Sequence, residues 1–546
     1  MSSCDSSPSV LDELYRGRVR WDLLAPFPAL PPAPHAVEEL AALLRAMVDP
    51  EEVERTGQLP PAALKALREE GFLALTIDRE LGGLGLSDAE AFQVLRAGAS
   101  WSGAVAFTLG VGNGFGSGSY LRVLPPGPLR DMICERVAAG IVSGGADAEP
   151  AGTANRTRAT VAVPVEDGAA YLISGEKVFI GNGPTADLVD VSATIEGTGE
   201  VRLFFVDTRS PGFEVTARHE FMGLRGAAIG SLRLDRVRVP AEWLMPEDGD
   251  GWRMRPDGDG AEQIEPEADL AGLALLGRHL VIVPAALAIA QRCLQYSRDF
   301  VARRVIDGRG LGEYEEIRRV VADTAADVFT IDCLSRWALL GRDRADTRPD
   351  LTVVKNLASR LCWRAVDRTV SLLGAEGYES AASKARRGAP PLPVERLFRD
   401  ARALRVAGGV DFMLDAWSAE ASLAAFYGEN REPAPQVAGG RAVFVEEQAR
   451  RLAEVCGRLT TAHPREELFA RQRLLRVVGR IAAELLSMSV VLAAADPETA
   501  ELADISCAGS RHRLAALWSQ LDHPEPGRSP IDVPLLTEGL IDHARA

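Results

Sequence analysis

The sequence predicts an α+β protein of several domains: a helical domain, a β-domain, a helical bundle and a further helical domain. Three observations predict it. Apolar residues recur three and four apart from His35 to about Gly140, then alternate with polar ones to about Met245, then return to the helical period from Leu270 onward. Gly, Asp-Gly and Pro-Gly turns cut the alternating region into short runs. A chain of 546 residues, 47% hydrophobic, holds more than one core. The expected units are 36–140, 141–245, 270–425 and 430–546, with an acidic loop at 246–269.

Residues 1–35 are rich in Pro and Ser and read as irregular. EELAALLRAMV and PAALKALREEGFLAL carry a helical stripe, and LGGLGLS (81–87) breaks one helix from the next. ATVAVPVE, AAYLISGEKVFI, LVDVSATI, VRLFFVDT, FEVTARHEF and LRLDRVRVP read as strands. The 246–269 stretch is aperiodic, and DGDGWRMRPDGDG lacks the glutamate that completes a calcium loop, so no metal is expected. Long amphipathic segments follow to about Ala425, and helical segments resume in the tail.

The net charge of −16 and pI near 5.1 oppose binding to nucleic acid or an anionic membrane surface. Seven scattered cysteines without a C-x-x-C pair read as free thiols in a reducing compartment. The N-terminus shows no signal-peptide core, and no stretch of ~20 uncharged apolar residues reads as a transmembrane segment. A cytoplasmic protein is expected.

The most specific stretch is 393–417, PVERLFRDARALRVAGGVDFMLDAW. It resembles the P-x-E-R-x-x-R-D-A-R-x-x-x-I-x-E-G-T segment of the acyl-CoA dehydrogenase family. Pro393, Glu395, Arg396, Arg399, Asp400, Ala401 and Arg402 match it. The family glutamate that removes the α-proton of an acyl thioester falls on Gly408, which cannot take a proton. Some branches place the base on the first helix of the C-terminal domain, and that position is Arg278 here, or Gly277 with a slip of one residue. Asp411 and His279 remain as alternative bases, and a helix-capping Asp411 and a structural His279 are the competing readings.

The same resemblance implies FAD. AEPAGTA (148–154) is similar to T-E-P-x-A-G-S-D and puts Thr153 near the serine that bonds the flavin diphosphate. FIGNG is similar to W-I-T-N-G: Phe179 would stack on the isoalloxazine beside Ile180, while Gly181 replaces the hydroxyl residue that bonds the reactive nitrogen. Arg304, followed by Gly308, matches an arginine directed at the diphosphate of the partner subunit's flavin, with Asp307 in place of an aromatic. SLLGAEGY, with Ser371, Gly374 and Gly377, is similar to the segment near the adenine end across the dimer. The tail, with ALWSQL, resembles the extra helical domain of the very-long-chain type.

The resemblance therefore implies an acyl-CoA dehydrogenase-like flavoprotein acting on an acyl thioester of CoA or of acyl carrier protein, as a homodimer, with its usual base missing. The alternatives are a catalytically inactive subunit paired as a heterodimer with an active homologue, and a flavin-dependent monooxygenase on the same fold.

Overall fold

The computed structural model describes residues 8–152, 157–246, 269–428 and 442–522. Thr153, Cys4 and nearly all of the 246–269 stretch lie outside them.

The N-terminal region is helical, with helices at Ala36–Met47, Pro50–Thr56, Pro61–Glu69, Asp88–Trp101, Gly103–Gly114 and Pro128–Ala138. The LGGLGLS break works as a tight turn and a start signal. A Cβ on Gly83 would sit 2.2 Å from the Ile77 carbonyl oxygen, so the backbone itself is packed there. Ser87 then begins the Asp88–Trp101 helix by a capping box with Glu90.

The chain next forms a seven-stranded sheet. Its strands are β1 (Ser143–Ala146), β2 (Val161–Val165), β3 (Ala170–Gly181), β4 (Leu188–Ile195), β5 (Val201–Asp207), β6 (Phe213–Arg218) and β7 (Ile229–Pro240). They lie in the order β1-β4-β2-β3-β7-β6, with β5 also paired to β4. Every alternating run in the sequence forms a strand here. Ile173, Val189, Val191, Phe204, Leu232 and Val237 fill the inner face, as the period of two requires. β1 is an addition, since SGGA carries no alternation.

A 35-residue helix, Asp269–Arg303, runs through the C-terminal half and is hereafter the central helix. It packs against Glu315–Leu340 and Arg348–Leu373 on its own side, and against Asp88–Trp101 and Gly103–Gly114 of the N-terminal region. One apolar core therefore joins the two helical regions. Beyond the central helix, β8 (Val305–Ile306) and β9 (Arg309–Gly310) form a hairpin. Asp307 and Gly308 both have positive φ, which a two-residue turn of this hand needs.

The central helix and Gln472–Ala494 are long and apolar enough to cross a membrane, but 78% of each apolar window is buried inside the protein. Their hydrophobicity builds core.

The tail folds as Val443–Ala462, Gln472–Ala494 and Ala500–Asp522. It docks on the Asp411–Ala424 helix, where a Cβ on Gly479 would lie 2.0 Å from the Asp415 carbonyl oxygen. That crossing tolerates only glycine. Gly479→Ala is expected to lower stability by about 2 kcal/mol, because the helices must move apart. A urea melt followed by tryptophan fluorescence checks this, and an unchanged midpoint would refute it.

The irregular N-terminus expected from the sequence is overturned for part of its length. Val10–Tyr15 is a helix capped by Ser9, and Trp21–Leu24 is a second short turn. Val10, Leu11, Leu14 and Tyr15 are buried against the C-terminal half. Leu11 N donates to Asp350 Oδ1 (3.3 Å), Ser422 Oγ to Asp12 Oδ1 (2.8 Å) and Trp21 Nε1 to Glu446 Oε1 (2.9 Å). A helix this short forms only because tertiary contacts hold it.

Candidate functional site

Four parts of the structure carry the residues singled out in the sequence. The first is the segment that follows β1. Glu149 is buried there and accepts bonds from Ala159 N (2.7 Å), Thr160 N (2.9 Å) and Lys177 Nζ (2.9 Å). Lys177, also buried, donates a second bond to the Ser192 carbonyl oxygen (2.7 Å). Burial alone would raise the Glu149 carboxyl, but the bonds from Thr160, Lys177 and the backbone outweigh it and bring the pKa to about 2. Asp147, two residues earlier, accepts from Arg158 Nε (2.8 Å) and Ser192 Oγ (2.5 Å). This network anchors the segment that leads toward Thr153.

The second is the end of β3. A register shift between Lys177 and Ile180 turns the strand, and Phe179 takes φ +58° and stands 61% exposed. Positive φ on an aromatic residue is strained, so the bulge must hold it. His219 and Phe221 lie beside it, with ring centroids 5.0 and 6.3 Å away, and the exposed Met222 extends the apolar face. Ile180 points the other way, into the β-domain core. At Gly181 an added Cβ would meet Phe107 Cε1 at 3.0 Å and Val111 Cγ2 at 3.1 Å. The ring of Phe107 takes the room a hydroxyl side chain would need. Asn182 Nδ2 donates to the Thr108 carbonyl oxygen (3.1 Å) and ties the strand end to the Gly103–Gly114 helix.

The third is the loop after the Val394–Leu404 helix. Gly408 and Gly409 have φ of +68° and +105°, and Lys355 Nζ donates to the Gly409 carbonyl oxygen (2.7 Å). The central helix passes alongside. Its Gly277 touches Gly114, since a Cβ on Gly277 would sit 2.2 Å from the Gly114 oxygen. That contact presents Arg278 to the loop: a Cβ on Gly408 would be 3.5 Å from Arg278 Cγ. Positions 278 and 408, far apart in sequence, are thus neighbours.

Arg278 is half-buried and forms no hydrogen bond or ion pair among the described residues. Burial lowers its pKa, against the attraction of the Asp147 charge. The next residue, His279, is fully buried, with its ring 6.0 Å from that of Phe92 and both ring nitrogens unpartnered. Burial lowers its pKa to about 3, so it is neutral and faces core. Asp411 is the first residue of its helix and does not cap it; its side chain instead pairs with Arg405, accepting from Nε at 2.9 Å. Asp411 is therefore held in an ion pair, and His279 is shut in the core with no partner on either ring nitrogen.

The fourth is the end of the central helix, where Arg304 is exposed. Arg303 Nη2 meets Glu376 Oε2 at 3.2 Å and links that end to the segment holding Ser371, Gly374 and Gly377. Ser371 and Gly374 are exposed, whereas Gly377 is packed so that a Cβ would lie 2.7 Å from the Val370 oxygen. Tyr378 projects outward, 84% exposed.

The chain matches family models in three consecutive stretches: acyl-CoA dehydrogenase N-terminal domain over residues 35–123, middle domain over 146–237 and C-terminal domain over 271–422. The chain belongs to the acyl-CoA dehydrogenase family. The probable acyl-CoA dehydrogenase FadE10 of Mycobacterium tuberculosis is 31% identical over 414 residues, covering 74% of this chain and 61% of the relative. The chain thus spans about three fifths of that relative's length. An acyl-CoA dehydrogenase of Bacillus subtilis is 25% identical over 66% of this chain and 89% of its own. Among solved structures, the acyl-CoA dehydrogenase complexed with FAD from Bacillus anthracis has a TM-score of 0.71 at 19% identity, covering 90% of this chain and 88% of that one. Butyryl-CoA dehydrogenase from Megasphaera elsdenii has a TM-score of 0.59 at 21% identity, covering 72% and 98%. These likenesses bear on the fold.

Sequence reasoning missed Phe107, Asp147 and Lys355. Asp147 sits two residues before the Glu-Pro of a recognised family loop, which is a usable signal. Phe107 and Lys355 lie on helices whose facing residues no local pattern reveals.

Proposed function

We propose that this protein is an acyl-CoA dehydrogenase-like flavoprotein that binds FAD and an acyl thioester, of CoA or of an acyl carrier protein, with the family's base glutamate replaced by Gly408. The exposed Phe179 carries this reading. A bulge and a strained φ hold an aromatic ring outward at the family's flavin-stacking position, beside His219 and Phe221. When bound, FAD accepts hydride equivalents from the acyl chain. Phe179 would stack on its ring system. Arg304, exposed, suits a diphosphate because its fork bonds two oxygens. Ser371, Gly374 and Gly377 would serve the partner subunit's FAD with it, in a cytoplasmic homodimer. Gly181 would offer no hydroxyl to the flavin, and the ring of Phe107 takes the room a hydroxyl side chain would need. The tail helices correspond in this reading to the extra domain of the very-long-chain type.

α,β-Oxidation also needs a base within reach of the α-proton. Gly408 and Arg278 provide none, and Asp411 is paired with Arg405. This favours a second reading, in which the subunit is catalytically silent and partners an active homologue, or runs flavin monooxygenase chemistry that needs no such base.

The absorption spectrum of the purified protein tests the proposal. A flavin band of about one FAD per chain, bleached by acyl thioesters far more slowly than expected for a base-bearing relative, is the expected result. A colourless protein that takes up no added FAD would overturn it.

A further inference from the structure

We propose that Arg278, with the side-chain-free Gly408 beside it, forms an anion site that holds a carboxylate on the acyl chain, so that the preferred ligand is the mono-thioester of a dicarboxylic acid. This rests on the acyl-thioester reading above and names its substrate class.

The argument is one of charge left over. A guanidinium stays protonated in proteins, and a charge drawn out of water needs a partner. The acids near the loop are committed to other groups. Asp411 pairs with Arg405, and Asp415 with Arg360 (2.6 Å) and Asn356 Nδ2 (3.0 Å). Asp147, the anion whose field Arg278 feels, accepts from Arg158 and Ser192 without forming an ion pair with Arg278. Buried Lys355, bonded to the Gly409 carbonyl oxygen, adds a second positive charge one residue from Gly408. Among the described residues, the loop is therefore short of negative charge where the central helix meets it.

It also has room. A Cβ on Gly408 would make only ordinary contacts, with Arg278 Cγ at 3.5 Å and Ile282 Cγ1 at 4.0 Å. A carboxylate arriving on a ligand has the planar shape that the guanidinium fork bonds at two oxygens. A simple fatty acyl chain would leave the fork unanswered.

The test compares matched thioesters by isothermal titration calorimetry on the FAD-loaded protein: succinyl-, glutaryl- and adipyl-CoA against butyryl-, pentanoyl- and hexanoyl-CoA. At one length or more, the carboxylated ester is expected to bind ~10–100-fold tighter than its plain counterpart. In Arg278→Gln that preference should fall below about threefold, and Arg278→Lys should keep part of it. Plain esters that bind as tightly as carboxylated ones at every length would overturn the proposal, as would a preference that survives Arg278→Gln. The wild-type comparison decides alone if a variant does not fold. Failure of all these esters to bind would instead refute the reading of a short acyl-CoA as ligand, and this proposal with it.

Discussion

Gly408→Glu combined with Arg278→Ala is expected to reduce flavin with pentanoyl-CoA at least about tenfold faster than Gly408→Glu alone. A glutamate at 408 would begin 3.5 Å from the stem of Arg278. An adjacent arginine lowers a carboxyl pKa by roughly 1–3 units, and a weaker base removes the α-proton more slowly. Removing Arg278 frees the carboxylate. Both variants carry the same backbone penalty, about 1–2 kcal/mol for a side chain at φ +68°, so the comparison isolates the charge. Stopped-flow bleaching of the flavin band measures it. Equal rates would mean that Arg278 does not reach a carboxylate at 408, and would also weaken the anion-site proposal.

Glu149→Ala is expected to destabilise the protein by about 3–5 kcal/mol, because Lys177 would keep a buried charge with no anion. Both side chains are essentially inaccessible, so solvent screens little of this. Replacing the pair together, as Glu149→Leu with Lys177→Met, should restore part of the loss, since the Ala159 and Thr160 amides would still lack the carboxylate. Denaturant titration of the three proteins checks the order, and a double variant no better than the single one would refute it. The pair also sets an acid limit. The folded Glu149 pKa is depressed from 4.5 to about 2, so its contribution is complete above 4.5 and disappears as pH falls through 2. Wild-type stability should decline across that window, and the doubly replaced protein should show less of the decline.

The domain sequence was legible because period is a local property. The strands from Val161 to Pro240 announce themselves by alternation, and the long helices by their stripes. β1 did not, because Ser-Gly-Gly-Ala has no pattern and becomes a strand only through parallel pairing with β4. The Val10–Tyr15 helix was hidden for a similar reason, since its stability comes from the tail and the Arg348–Leu373 helix. At the site, the residue types at 278 and 408 were readable, and the arginine–aspartate pairing that occupies Asp411 was not. Nor was the orientation of His279. Which neighbour a side chain faces depends on helix rotation and crossing, and one residue of error turns it by about 100°.

That rotation separates scaffold from chemistry within a single turn of the central helix. Gly277 meets the backbone at Gly114, His279 enters the core beside Phe92, and Arg278 looks toward the loop at 408. Divergence can therefore rewrite the charge at 278 while its neighbours keep the architecture intact.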